Sequence, residues 1–107
     1  MPSWRKAAIT RSVIDVSHWQ HPIDFKKVAA DGIVAVIAKA TQGARGIDET
    51  YASYKEAAAP YKLLWGSYHF GTGSEVDVQV EHYLSTTKPN DFELVCLDFQ
   101  PIQTARP

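Results

Sequence analysis

Four short apolar runs, each followed by polar or aromatic residues and separated by helix-length segments, constrain this chain more than any other feature. They occupy residues 12–16, 33–38, 63–70 and 94–97. The runs are rich in Val, Ile, Leu and aromatics, as strands are. The second, Ile-Val-Ala-Val-Ile-Ala, is apolar on both faces, which suits a strand covered on both sides. Helix signals fill the gaps. Asp24 suits an N-cap, with Phe25, Val28 and Ala29 on one helical face and Gly32 at the C′ position. Asp48 reads as the cap of a second helix whose inner face is Tyr51, Tyr54 and Ala58, ended by Pro60. Ser74 and Asp77 have capping-box spacing ahead of a third helix with Val76, Val80, Tyr83 and Leu84 on its apolar side. Residues 88–91, Lys-Pro-Asn-Asp, break that helix. The order β-α-β-α-β-α-β requires right-handed crossovers and a parallel sheet, an α/β fold.

The chain divides into an irregular arm (residues 1–11), one domain (12–100) and a patternless tail with two prolines (101–107). A net charge of -1, from 11 basic and 12 acidic residues, argues against nucleic acid or an anionic membrane surface as partner. The arm lacks the apolar core of a signal peptide, and no stretch approaches the length of a membrane span. Cys96, the single cysteine, lies inside an apolar run and is expected to be a buried thiol. The four histidines have no metal-ligand spacing, and Gly43 and Gly46 belong to no phosphate-binding pattern, so neither metal nor cofactor is expected.

Polar groups gather at the C-terminal end of every strand, the edge where parallel α/β folds build sites. They are Ser17-His18-Trp19, Lys39 to Gln42, Tyr68-His69, and Asp98 to Gln100. Asp98 and Gln100 are two apart, so on a strand they project to one face roughly 6–7 Å from each other. Glycoside cleavage uses two carboxyl groups, one donating a proton and one stabilising positive charge. Here one of the two is an amide.

In this context the chain resembles the glycoside hydrolase family 25 lysozymes, muramidases that cut bacterial peptidoglycan. The matching segments are Ile14-Asp15-Val16-Ser17-His18-Trp19-Gln20, Ile23-Asp24-Phe25, Ile37-Ala38-Lys39-Ala40-Thr41-Gln42-Gly43, Gly66-Ser67-Tyr68-His69-Phe70 and Leu97-Asp98-Phe99-Gln100. The family fold is a TIM-like barrel of eight strands, of which these segments correspond to the first half. The resemblance implies peptidoglycan or a chito-type glycan as partner and the cell wall as the place of action. It makes Asp15 and Asp98 the groups that orient substrate and stabilise an oxocarbenium-like transition state. Where the family motif reads Asp-x-Glu, Gln100 takes the proton donor's place, and Gln42 likewise replaces an acid at the end of the second strand. An amide accepts and donates hydrogen bonds but supplies no proton at neutral pH. The missing proton would have to come from Glu93, Glu75 or water, and Glu93, at the far end of its strand, is a poor substitute.

Around these groups, Trp19 is expected to stack on a sugar, His18 and His69 to hydrogen-bond its hydroxyls, and Tyr68 either to line the site or to pack. Phe70 and the Tyr51/Tyr54 stripe are expected in the core. Lys39, at the end of an apolar strand, reads as an internal ion-pair partner of Asp15 or Asp98, or as a side chain snorkelling to the sheet edge. Four strands cannot close a barrel, so the first and fourth strands keep open edges, and a twofold dimer of half-barrels is the expected remedy. Three functions follow: an impaired muramidase, a non-catalytic glycan binder, or an interaction module acting through its edges.

Overall fold

The computed structural model describes residues 12–99; the arm at 1–11, Gln100 and the tail at 101–107 lie outside the described residues. Its elements are β1 (Val13–Val16), a 3-10 turn (His18–Gln20), α1 (Phe25–Ala30), β2 (Ala35–Gln42), β3 (Gly46–Ile47), α2 (Tyr51–Ala58), a second 3-10 turn (Ala59–Tyr61), β4 (Leu64–Phe70), α3 (Val76–Thr87) and β5 (Leu94–Asp98). The sheet runs β1-β2-β4-β5 with every neighbouring pair parallel, as alternating strands and helices demand. The two-residue β3 turns back antiparallel on the end of β2 and was not foreseen from sequence.

One face of the sheet is covered by helices. Val16, Val36, Ala38 and Ala40 pack there with Phe25, Tyr51, Tyr54, Ala58 and Tyr83 in a single buried cluster. Each large side chain so removed from water contributes roughly 1.5–3 kcal/mol. The other face is open: Val13, Leu64 and Leu94 are more than half exposed. Among the described residues β1 and β5 are the outer strands of the path. The fold is therefore a parallel α/β sheet of partial TIM-like form.

Several local expectations need correction. Strand β2 begins later and runs four residues further than its apolar stretch, through Lys39, Ala40, Thr41 and Gln42. The register with β4 slips between Lys39 and Thr41, a β-bulge, and Ala40 and Thr41 are consecutively buried. Asp24 does cap α1, accepting from the amides of Lys26 and Lys27. Asp48 does not cap α2: Thr50 holds the N-cap position, and Asp48 folds the preceding loop. The capping box of Ser74 and Asp77 does not form, because α3 starts after Glu75 and has no side-chain cap bond at that residue. The inward residues of α3 are Gln79, Tyr83 and Thr87, at i, i+4 and i+8, while Val76 and Leu84 are exposed. Cys96 is only half-buried, because β5 lies at the side of the sheet with one face uncovered.

Candidate functional site

The sheet's parallel register brings the C-terminal ends of its strands to one edge, and two hollows form there. The smaller, about 250 Å³, lies on the open face and is lined by Asp15, Ile37, Tyr68, Cys96 and Asp98. Three strands thus deliver two carboxylates and a phenol to one cavity. Asp15 sits opposite Ile37 in register, and Asp98 opposite Phe70, so the two acids come from outer strands on either side of the central pair. Burial pushes the Tyr68 hydroxyl above its ordinary pKa, and the negative charges of Asp15, Asp98 and Asp48 push it further. The phenol consequently stays protonated and able to donate to a ligand oxygen. The main-chain carbonyl of Asp98 accepts from the Gly71 amide at 2.8 Å, tying the end of β5 to the turn after β4.

The larger hollow, about 490 Å³, is a groove over the ends of β2 and β4, and its wall includes His18, Lys39, Gln42, Asp48, Thr72 and Ser74. The bulge in β2 makes it. Regular alternation would put Lys39 and Thr41 on one face and Gln42 on the other. The extra residue instead buries both Ala40 and Thr41 and returns Gln42 to the side of Lys39. Lys39 Nζ then donates to Gln42 Oε1 at 2.6 Å and lies 5.1 Å from the centre of the Phe70 ring, a cation–π distance. This contact stands where an ion pair to Asp15 or Asp98 was one expectation. Phe70 is half-buried beneath that ammonium rather than in the core cluster.

Asp48 is the residue that sequence reasoning undervalued. Its side chain is fully buried. Oδ1 accepts from the Thr50 amide and hydroxyl, and Oδ2 from the His18 amide and Nδ1, the last at 2.9 Å. Burial alone would raise its pKa, but the hydrogen bonds from Thr50 and His18 outweigh that and hold it at about 2. The carboxylate fixes the His18 ring across thirty residues of sequence, leaving Nε2 as the remaining nitrogen of a ring that lines the groove. Trp19, beside it, is 80% exposed and packs on the His18 ring at 4.5 Å between centroids. A large aromatic surface left in water next to a groove is available to stack on a sugar face.

His69 is placed differently from expectation. It is fully buried under the helix-covered face, with Nδ1 2.7 Å from Thr41 Oγ1 and Nε2 2.9 Å from Gln79 Oε1. Its tautomer follows from complementarity. The Gln79 amide nitrogen donates to the carbonyls of Thr72 and Ser74, and its oxygen accepts from the Thr72 amide. His69 therefore donates from Nε2, and Thr41 donates to Nδ1. No ring nitrogen is left for a sugar; His69 and Gln79 hold the wall of the groove from beneath. A polar residue on the inner face of an amphipathic helix was the signal for Gln79.

Glycosyl hydrolases family 25 matches the chain over residues 14–105. The chain belongs to that family. It is 29% identical over 83 residues to an autolytic lysozyme of Clostridium acetobutylicum, covering 78% of this chain and 26% of that protein. It superposes on a GH25 lysozyme from Aspergillus fumigatus with a TM-score of 0.74 at 28% identity, covering 82% of this chain and 46% of that one. A bacterial lysozyme from Streptomyces coelicolor gives 0.73 at 28% identity, covering 79% and 42%. This family 25 chain thus spans about a quarter of the length of that curated relative and under half of the two solved lysozymes.

Proposed function

We infer that this chain recognises bacterial cell-wall glycan through a muramidase-type site whose proton donation is impaired. The observation that carries the reading is the convergence of Asp15, Tyr68 and Asp98 on one cavity at the C-terminal edge of a family 25 sheet. Two carboxylates there favour positive charge on a sugar ring, the electrostatic half of glycoside cleavage. The other half is a proton for the leaving oxygen. In Asp98-Phe99-Gln100 the third residue is an amide, which binds that oxygen but does not protonate it. Absence of general acid catalysis costs about 10²–10⁴ in rate. His18, which lines the larger groove, and Trp19, which packs on it, supply a hydrogen-bonding ring and a stacking surface after β1.

Turbidity clearing of purified peptidoglycan tests this. The natural chain is expected to bind walls and clear them at a small fraction of an ordinary lysozyme rate, with Gln100→Glu restoring clearance. Full lytic activity of the natural chain, or no binding to walls, would overturn the reading.

The exposed apolar face favours a second, compatible statement. Leu64 and Leu94 on that face, with Leu97 on the outer strand β5, are each more than half exposed, and among the described residues β1 and β5 are the outer strands of the sheet, available to pair with a partner. Pairing with a second copy would cover this surface. Sedimentation should then show a dimer; a stable monomer at micromolar concentration would count against it.

A further inference from the structure

We propose that Gly71 and Phe99 form a clamp that sets where Asp98 presents its carboxylate, which makes both of them positioning residues of the open-face cavity. That role deepens the reading of Asp98 given above and rests on it.

Asp98 ends a strand with little else to hold it. Among the described residues β5 is an outer strand, paired only with β4, and Asp98 closes that ladder opposite Phe70. Strand ends at the side of a sheet fray most easily. The turn after β4 opposes this. The Gly71 amide donates to the Asp98 carbonyl at 2.8 Å. The Phe99 ring lies so close to the Gly71 α-carbon that a β-carbon there would fall well inside van der Waals contact of ring atoms Cγ, Cδ1 and Cε1. Only glycine admits that approach. By contrast Gly73, further along the same turn, has open space where a β-carbon would go. The Phe99 ring also meets His69, 6.4 Å away between centroids, and His69 is itself fixed by Thr41 and Gln79. Alternation along the chain thus puts Phe99 towards His69, on the helix-covered side, and Asp98 in the cavity with Asp15 and Tyr68. Gly71 holds the main chain just after Asp98 from behind, and the carboxylate faces forward. Phe99 is 45% exposed and lies outside the core cluster, so the contact contributes more to placement than to burial.

Titration of the Tyr68 phenol on the full chain tests this, followed by carbon NMR with Tyr68→Phe assigning the signal. Burial raises that phenol, and the charges of Asp15 and Asp98 raise it further. Asp98→Asn should therefore lower the midpoint, and its shift sets the scale. Gly71→Ala drives a methyl into the ring and displaces the strand end, and is expected to lower the midpoint by at least half as much. Phe99→Ala, which keeps the main-chain bond, should lower it by a smaller but measurable amount. With the ring gone the added methyl has room, so the double variant should match Phe99→Ala alone. Gly73→Ala should change nothing. Hydrogen exchange at the residue-71 amide gives a second reading at neutral pH: slow in the natural chain and in the double variant, fast in Gly71→Ala. In the Gln100→Glu background, Gly71→Ala should lower kcat for peptidoglycan cleavage by up to about 10² with KM little changed, the cost of a misplacement of about 1 Å. A midpoint unmoved in Gly71→Ala or Phe99→Ala, as when the ring simply turns aside, would overturn the clamp and leave the reading of Asp98 standing. Equal effects of Gly71→Ala with and without the Phe99 ring would overturn it too. No shift in Asp98→Asn would take Asp98 out of the cavity and overturn both. Absence of cleavage by Gln100→Glu would overturn the muramidase reading, with the clamp decided by the titration alone.

Discussion

The two faces of this sheet behave as different molecules. The helix-covered face is dry and fully partnered: Val36, Ala38 and Ala40 are inaccessible to solvent, and so are the polar His69, Gln79 and Thr41, each matched by hydrogen bonds. The open face carries Asp15, Tyr68 and Asp98 among apolar side chains left in water. A buried polar group without a partner costs more than its hydrogen bond gains, so polar residues survive on the closed face only as a complete network. On the open face Asp15, Tyr68 and Asp98 line a cavity that opens to solvent. The packed core lies on one side of the sheet, and the cavity lined by two carboxylates and a phenol on the other.

That contrast can be broken or sharpened experimentally. The largest effect is expected on cleavage. Gln100→Glu should raise peptidoglycan clearance by about 10²–10⁴, and adding Asp98→Asn should remove most of that gain. A loss of folding in Asp98→Asn would mean that the open side also holds the fold together.

On the closed side, Gln79→Ala leaves the buried His69 Nε2–H unpartnered and removes the part-buried bonds to the Thr72 amide and two carbonyls. A loss of about 3 kcal/mol in urea unfolding is expected. Asp48 gives a pH signature between the two regions. Its carboxyl is depressed from 3.8 to about 2 in the folded chain, so its contribution is present above pH about 4 and drains as pH falls towards 2. The unfolding free energy should fall by about 2 kcal/mol over that interval from this group. Asp48→Asn should flatten that part of the profile while lowering stability at neutral pH, because an amide turns one oxygen into a donor facing other donors. The smallest effect is expected at Leu64→Ser or Leu94→Ser, within about 0.5 kcal/mol if the face stays open to water. A loss several times larger in thermal melts would show that something covers it.

The architecture was legible because its signals are local. Apolar runs, the Asp24 cap and the Tyr51, Tyr54 and Ala58 stripe depend on neighbours within a few residues, and each appears where the periodicity puts it. The placement of Asp15, Tyr68 and Asp98 was legible for a related reason: parallel strands must present their C-terminal ends together. The same reading failed at β2, where a strand that changes face mid-way looks like the end of a strand. It failed at α3, where Gln79 and Thr87 face inward while Val76 faces water: Gln79 meets His69 and the backbone of the turn after β4, and Thr87 satisfies its hydroxyl on the Tyr83 carbonyl of its own helix.

Sequence alone determined the alternation of strands and helices, the edge at which chemistry collects, and the amide at position 100, since these follow from residue type and short-range spacing. Tertiary structure decided which groups touch. The bulge that returns Gln42 to Lys39 arises from register between β2 and β4. The grip of Asp48 on His18 spans thirty residues, and Gln79 settles the tautomer of His69 only once α3 lies on the sheet. Contacts of that kind depend on how distant segments pack and pair, and no local periodicity encodes them.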